Sequence, residues 1–399
     1  MKCWSIATIV FALSGCAGGG NNGFTAPASA ARPAAGADGG SLGPILSTSD
    51  GGQIFGFDID QNGDDGVLAS WHTGSISVQT FNTATGKITR TFGRISGKRA
   101  LRGDDYLVDG IFAGDVGLVD HQKAGIPGQT PAKDRYESLD PVTKQRLGAR
   151  WKLPAKLFNV LQWAPNQSTS TSVFFGYQRS GSDPPGLLVA NVAKGAFERM
   201  IPLNPNQFFL STQPQLAEDT VHNRAVMASS PSFGGAGGPP PVISAVDLKS
   251  GKVESQFSGA TCPGLAGCGY ANGIAYDSAT GVACTTTELD GGIEFYNVAK
   301  QTGFREGLGS GGSQLNAGAY VANDPVHQLF LIAQPFSSTS SGSSIQVYAE
   351  NGDFVESIDG FDFTDAGFLV VPIRISINPH ARTGWVNGPG SNQLQEFSY

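Results

Sequence analysis

Apolar and polar residues alternate in short runs along most of the chain, and Asn, Asp and Gly separate the runs. Alternation with a period of two is typical of β-strands that bury one face. One unit recurs about every fifty residues: an alternating run, a short polar turn and a second alternating run. Its copies are residues 76–92, 136–151, 187–201, 242–257, 293–304 and 345–358, and QLQEFSY at 393–399 is a truncated seventh.

A second hairpin pattern lies between these copies. It is clearest at residues 274–286, 319–333 and 374–386, and looser at 215–228. Two hairpins per repeat give four strands, which is one blade of a β-propeller. We therefore predict an all-β fold of seven four-stranded blades. Six or eight blades, or a pair of β-sandwiches with accidental periodicity, are the alternatives that the pattern leaves open.

The two ends of the repeat region fit a closed ring. The last repeat stops at Tyr399 after its third strand, and residues 44–48 precede the first hairpin. If residues 44–48 supply the missing fourth strand, the N- and C-terminal strands pair within one blade and leave no exposed sheet edge. The predicted propeller domain is residues 44–399.

The turns of both hairpins carry a family resemblance. One strand type ends in Asp/Asn-Pro, and another ends in Asp/Asn before a turn that closes on Gly-Lys. The chain in this respect resembles bacterial propellers of the YVTN/NHL type over roughly residues 44–399, although 94–135 and 202–214 fit poorly. The motifs specify a blade and imply little about activity. The Asp/Asn-Pro motif occurs at Asp324-Pro325 and Asn378-Pro379. The motif that closes on Gly-Lys occurs at Asp247 with Gly251-Lys252 and at Asn82 with Gly86-Lys87.

The N-terminus predicts export and lipid anchoring. Lys2 is followed by an apolar stretch at 4–13, which is too short to span a bilayer as a helix. Leu13-Ser14-Gly15-Cys16 then resembles the lipobox of bacterial lipoproteins. The resemblance implies a signal peptide at 1–15 and a Cys16 acylated with a fatty acid such as palmitate. An ordinary secretory signal with an incidental Cys16 is the alternative.

The predicted location follows from the residues after Cys16. Residues 16–43 are rich in Ala, Gly, Pro and Asn, and they predict the lipidated cysteine followed by a disordered tether. Ala17 stands where an Asp would resemble an inner-membrane retention signal. The predicted location is the bacterial cell membrane, and the outer membrane where the cell has one.

Charge and cysteine usage narrow the partners. The net charge is −7 and only 15% of residues are charged, so no basic stripe favours nucleic acid. In an exported protein Cys262 and Cys268 are close enough along the chain to form a disulfide. Cys284 lies in a strand-like run and is predicted to be a buried free thiol.

One loop predicts a metal site. In residues 58–64, DIDQNGD, oxygen-bearing side chains at alternate positions precede a glycine, which matches the opening of a calcium loop. The loop also resembles the calcium loops of FG-GAP propeller repeats, which carry a further acid where Gly66 stands here. The alternative is a hairpin turn without metal. The predicted ligands of a structural calcium ion are Asp58, Asp60, Asn62 and Asp64.

The entrance of the central channel is the predicted ligand site. Polar residues are expected there at the starts of the innermost strands, although such side chains can also serve only to bond neighbouring backbone. His222, His327 and His380 share one turn position in their repeats, which favours a role in the turn or in blade contacts. The candidate channel residues are Asp105, Asn159, Gln215, Asn272 and Asn316.

The sequence leaves two functions open. The residues favour a binding or scaffold module for a protein, glycan or small molecule over an enzyme. The alternative is a metal-dependent lactonase or hydrolase of the propeller type, in which a channel metal activates water. That chemistry requires carboxylates at the channel, and few lie in the predicted innermost strands. Neither possibility identifies the ligand.

Overall fold

The alternating runs form antiparallel strands in a computed structural model of the chain. All described residues belong to one compact unit, Ala35–Tyr399. Between residues 108 and 166 only the backbone of the strands is described. The structure describes residues 39–49, 51–61, 63–72, 75–96, 108–113, 116–121, 135–140, 145–152, 157–166, 171–178, 186–203, 215–229, 242–258, 271–287, 293–307, 320–334, 343–361, 374–387 and 392–399.

The strands form seven antiparallel sheets of four strands each, which confirms the predicted blades. Blade 1 contains β2 (Gln53–Ile59), β3 (Asp65–His72), β4 (Ser75–Asn82) and β5 (Lys87–Ser96). Blade 2 contains β6 (Val108–Ala113), β7 (Val116–His121), β8 (Arg135–Asp140) and β9 (Gln145–Lys152). Blade 3 contains β10 (Leu157–Asn166), β11 (Thr171–Gln178), β12 (Gly186–Asn191) and β13 (Ala196–Pro202).

The second half of the chain repeats this plan. Blade 4 contains β14 (Gln215–Asp219), β15 (Arg224–Ser229), β16 (Val242–Asp247) and β17 (Val253–Ser258). Blade 5 contains β18 (Ala271–Asp277), β19 (Val282–Thr287), β20 (Ile293–Asn297) and β21 (Thr302–Gly307). Blade 6 contains β22 (Val321–Asp324), β23 (Leu329–Gln334), β24 (Ser343–Ala349) and β25 (Phe354–Phe361).

Blade 7 closes the ring as the sequence predicts. It contains β26 (Ile375–Asn378), β27 (Thr383–Asn387), β28 (Gln393–Ser398) and, as its outermost strand, β1 (Ser41–Ser47). Each innermost strand contacts the next around the ring, and β26 contacts β2. The N-terminal strand therefore covers the edge that β28 would otherwise expose.

The hairpin turns owe their shape to Asn, Asp and Gly. In blade 1, Oδ1 of Asn82 accepts the backbone N–H of Thr85 at 2.9 Å, and Gly86 has φ of +61°. In blade 4, Asp247 and Gly251 repeat the arrangement, with φ of +75° at the glycine. A side-chain oxygen thus replaces a backbone acceptor, while glycine adopts a positive φ without a Cβ clash.

The apolar core lies between adjacent blades. In blades 4, 5 and 6, apolar side chains on the faces of the sheets are buried and pack against those of the next blade. At the seam of blades 4 and 5, Tyr276 and Tyr296 of blade 5 pack on Ile243 of blade 4. At the seam of blades 5 and 6, Phe295 and Phe330 meet edge to face at 5.8 Å.

The disc has two faces, which are named here by their contents. The entrance face is where the innermost strands begin. The turn face is where those strands end. In blade 4 it carries both hairpin turns, since Leu248 N–H bonds the Asn223 carbonyl at 2.9 Å. Turns of neighbouring blades also meet there, because Thr220 N–H donates to Oγ of Ser278 at 2.9 Å. Within the described ranges, no helix is long and apolar enough to cross a membrane.

Candidate functional site

The predicted channel residues lie at the starts of innermost strands wherever the structure describes them. Gln215 is the first residue of β14 and is 8% exposed. Asn159 lies near the start of β10 and Asn272 near the start of β18, in strands that contact β14 or its neighbours. The side chains of Asn159 and Asn272 are not described, and Asp105 and Asn316 lie outside the described residues. Ligand binding by this set stays a prediction.

The turn face carries a repeated polar group that the sequence pattern did not single out as a set. In each blade whose first turn is described, an Asp or Asn ends the innermost strand or directly follows it. In blades 5, 6 and 7 its side chain accepts backbone N–H groups two and three residues ahead, as Oδ1 of Asp324 does from Val326 and His327, both at 2.9 Å, and in blade 4 it accepts the N–H three residues ahead. We call these the capping residues; they are Asp60, Asp219, Asp277, Asp324 and Asn378.

Asp219 is the most connected capping residue. Its side chain is fully buried, and the Arg224 guanidinium, the Tyr276 hydroxyl of blade 5 and the His222 ring all contact it. The Tyr276 hydroxyl lies 3.1 Å from Oδ2 and the Arg224 Nε 3.0 Å from the same atom. Burial raises the pKa of Asp219, but bonds from Arg224, the His222 amide and Tyr276 outweigh it and hold the pKa below its usual value.

Asp324 repeats the arrangement two seams further on, between blades 6 and 7. The Tyr399 hydroxyl of blade 7 donates to its Oδ2 at 2.9 Å, and His327 Nδ1 lies 2.8 Å from the same atom. Arg382 stacks over the Tyr399 ring, with its guanidinium carbon 5.5 Å from the ring centre. Burial and the Asp324 charge raise the pKa of Tyr399, so this phenol stays protonated and serves as a donor.

The histidines therefore belong to the turns, as their shared position predicts. His222 and His327 contact the capping acids of blades 4 and 6 through Nδ1, at 3.0 and 2.8 Å. His380 contributes its backbone N–H to Oδ1 of Asn378 at 3.0 Å. These contacts stabilise turns and seams on the face opposite the entrance.

The predicted calcium loop is the first turn of blade 1. Oδ1 of Asp58 accepts the Ser376 hydroxyl of blade 7 at 2.5 Å and the Ile59 N–H at 3.0 Å. Asp60 occupies the capping position, and its carboxylate lies against Gly63. Asp58 thus joins this turn to blade 7.

Calcium binding by this loop stays a prediction. Asp64 is exposed, and Asn62 lies outside the described residues. In the part of the chain that the structure describes, no three His, Cys, Asp or Glu side chains are grouped to hold a metal ion. The described residues therefore show a turn, and no assembled ligand set.

The structure describes one of the three cysteines in the predicted propeller domain, Cys284. Cys284 is fully buried in β19 and is free, as predicted. Burial raises the pKa of its thiol, and the nearby negative charge of Glu294 raises it further. A thiol in this state is a small apolar core residue and a poor nucleophile. Cys262 and Cys268 lie outside the described residues, so their disulfide stays a prediction.

Comparison with known proteins supports the fold. No protein-family model matches the chain. No curated protein matches it either. Among solved structures, the β-propeller domain of Cps50 (Swd1) from Myceliophteria thermophila is similar, with a TM-score of 0.56 and 10% identity, over 90% of this chain and 99% of that one. A likeness at this identity shows the β-propeller fold alone.

Proposed function

We propose that this protein is an exported bacterial lipoprotein, anchored through Cys16, whose propeller serves as a binding or scaffold module at the cell envelope. The observation that carries the binding role is how the structure uses its inner-strand acids. Asp219, Asp277 and Asp324 lie at the far ends of their strands, buried on the turn face. The entrance end of β14 instead presents the amide of Gln215. Neutral hydrogen-bonding groups suit ligand recognition, whereas hydrolysis through a channel metal requires carboxylates there.

The path of the chain supports an accessible entrance. β1 pairs with β28 so that Ser41 lies opposite Ser398 and Ser47 opposite Gln393. Ser398 precedes Tyr399, whose hydroxyl reaches Asp324 on the turn face. The chain therefore enters the propeller at the turn face. A lipid-anchored tether would therefore join the domain at the turn face, so that its point of attachment does not lie on the entrance face.

The lipid anchor is tested by replacing Cys16 with alanine. We expect wild-type protein to take up labelled palmitate and to sediment with membranes, because a diacylated N-terminus anchors stably. The Cys16→Ala variant is expected to lose both properties, while Cys284→Ala keeps them. Palmitate incorporation that persists in Cys16→Ala protein contradicts the anchor assignment.

The binding face is tested by photocrosslinking in cells. A photoreactive amino acid at position 272, at the start of β18, is expected to form adducts with a binding partner. The same amino acid at position 221, which is 64% exposed on the turn face, is the matched control. Adducts at 221 with none at 272 contradict recognition at the entrance.

A further inference from the structure

Asp277 of blade 5 and Glu350 of blade 6 form a carboxyl pair, at a position where other blades have a different side chain in place of Glu350. In blades 1, 4, 5, 6 and 7, the residue after the third strand donates its N–H to the first turn of the same blade. Glu350 does so to the Gln328 carbonyl at 3.1 Å, and Tyr399 to the Arg382 carbonyl at 3.1 Å. Glu350 and Tyr399 therefore occupy equivalent positions in blades 6 and 7.

Both side chains reach the capping acid of the preceding blade. Tyr399 meets Asp324 with a hydroxyl, which donates a hydrogen bond at any pH below the pKa of the phenol. Glu350 meets Asp277 with a second carboxyl group. A carboxylate only accepts hydrogen bonds, so this seam has two acceptors where the next seam has a donor and an acceptor.

Within the described residues, one buried oxygen atom of Asp277 and one of Glu350 lack a hydrogen-bond donor. Oδ1 of Asp277 caps its turn by accepting the N–H groups of Ala279 at 2.7 Å and Thr280 at 3.2 Å. Oδ2 of Asp277 and Oε1 of Glu350 are both buried, and no N–H or hydroxyl group in the described ranges donates to either atom. Asp277 itself is fully buried. Two adjacent buried carboxylates repel each other, and one proton between them supplies the absent donor.

The charged groups around the pair do not replace that proton. On the first turn of blade 6, His327 is turned to Asp324 at 2.8 Å. On the turn that carries Glu350, Asp353 is held by the Asn351 side chain at 2.7 Å. The first turn of blade 5 contributes Ser278, Ala279 and Thr280.

We propose that Asp277 and Glu350 share one proton across the seam of blades 5 and 6, and that this seam is a pH-sensitive joint that loosens as the pH rises. The inference does not depend on the proposed function. With the proton, one carboxyl donates to the other and the blades are bonded on the turn face. Without it, two buried negative charges face each other, and the seam opens to admit water or a counterion.

The direction of the pH effect follows from the environment of Glu350. Burial raises the pKa of Glu350, and the neighbouring Asp277 raises it further through a hydrogen bond and through its negative charge. A hydrogen bond with Thr280 lowers the pKa in part, and the result is a pKa of about 8. The unfolded chain releases this proton near the ordinary value of 4.5. Between these values the folded state holds a proton that the unfolded state lacks. The stabilisation is therefore complete at low pH and is lost as the pH rises toward 8.

The test measures melting temperature against pH for the full chain and for Glu350→Gln. A glutamine amide donates to Asp277 at every pH, so we expect Glu350→Gln to melt within about 1 °C of the wild type at pH 5 and roughly 2–4 °C higher at pH 9. Asp353→Asn, on the same turn, is the matched control and is expected to shift the curve equally at all pH values. The wild type is also expected to show the infrared band of a protonated carboxyl group at pH 7, which Glu350→Gln lacks.

A second variant changes the residue that blade 5 contributes to the pair. Asp277→Asn keeps a capping side chain, since Asn378 caps the same turn in blade 7. It is expected to reproduce the gain at pH 9, and the double variant is expected to gain no more than either single variant. Parallel wild-type and Glu350→Gln curves from pH 5 to 9 overturn the shared proton. Recovery of wild-type stability at pH 9 by calcium alone also overturns it, because the pair then holds a cation.

Discussion

Replacing Asp219 with alanine is expected to lower the free energy of unfolding by about 3–5 kcal/mol at neutral pH, because it removes one partner of a buried ion pair. The Arg224 side chain is only 15% exposed and keeps its charge when the carboxylate is gone. The Tyr276 hydroxyl and the His222 amide lose their acceptor in the same substitution. Denaturant unfolding at pH 7, with purified wild type beside it, measures the loss.

Asp219→Asn separates the charge of this residue from its role in the turn. Asparagine caps the equivalent turn of blade 7, so the variant is expected to retain the turn and to lose less than the alanine variant. Because the pKa of Asp219 is lowered in the folded state, its stabilisation is present above about pH 4 and is lost as the pH falls through the folded value. The advantage of wild type over Asp219→Asn should therefore shrink in acid. Equal losses for both variants contradict the capping role, and an Asp219→Asn variant as stable as wild type at pH 7 contradicts the ion-pair argument.

The repeat architecture can be predicted from the sequence because its hairpin turns require particular residue types at fixed positions. An Asn or Asp that caps the turn and a residue with positive φ four positions later are visible as Asn82 with Gly86 and Asp247 with Gly251. The same geometry also occurs at Asn223 and Gln328, where the residue with positive φ is not glycine. The periodic Asp or Asn was the more reliable signal there.

The sequence pattern does not predict the innermost hairpins of blades 2 and 3. Only Gly114 and Asp115 separate β6 from β7, so the sequence there lacks the longer Asp/Asn turn pattern of the other blades. In blade 3, β10 and β11 are the long runs Leu157–Asn166 and Thr171–Gln178, which contain Trp163 and Pro165 and lack a clear alternation. Strand pairing there depends on contacts with neighbouring blades, which a local pattern does not record.

The seam contacts could not be predicted from the sequence for a different reason. The Asp or Asn that ends β14, β18, β22 and β26 is visible in the sequence, but a partner such as Tyr276 for Asp219 comes from the next blade, 57 residues away. Residues with the same position in the repeat carry different groups, such as Tyr399 and Glu350. The repeat predicts where such a side chain lies, and only the three-dimensional arrangement shows which acid it meets.

Replacing Trp385 with alanine is expected to cost about 3–5 kcal/mol, because its fully buried ring fills the seam that closes the propeller. Trp385 of blade 7 packs edge to face on Phe81 of blade 1, with ring centres 5.6 Å apart. Leu46 of β1 belongs to the same cluster, so the cavity would adjoin blade 7, blade 1 and the N-terminal strand together.

Trp385→Phe provides the matched control for that cavity. The Nε1–H of Trp385 donates to no acceptor in the described ranges, so phenylalanine loses ring volume without breaking a hydrogen bond there. We expect it to cost well under half as much as alanine in denaturant unfolding. Val326→Ala, at a residue 50% exposed on the turn face, is expected to stay within about 0.5 kcal/mol of wild type. If Trp385→Ala costs no more than Val326→Ala, packing at the closing seam does not hold the ring together, and the pairing of β1 with β28 must account for closure instead.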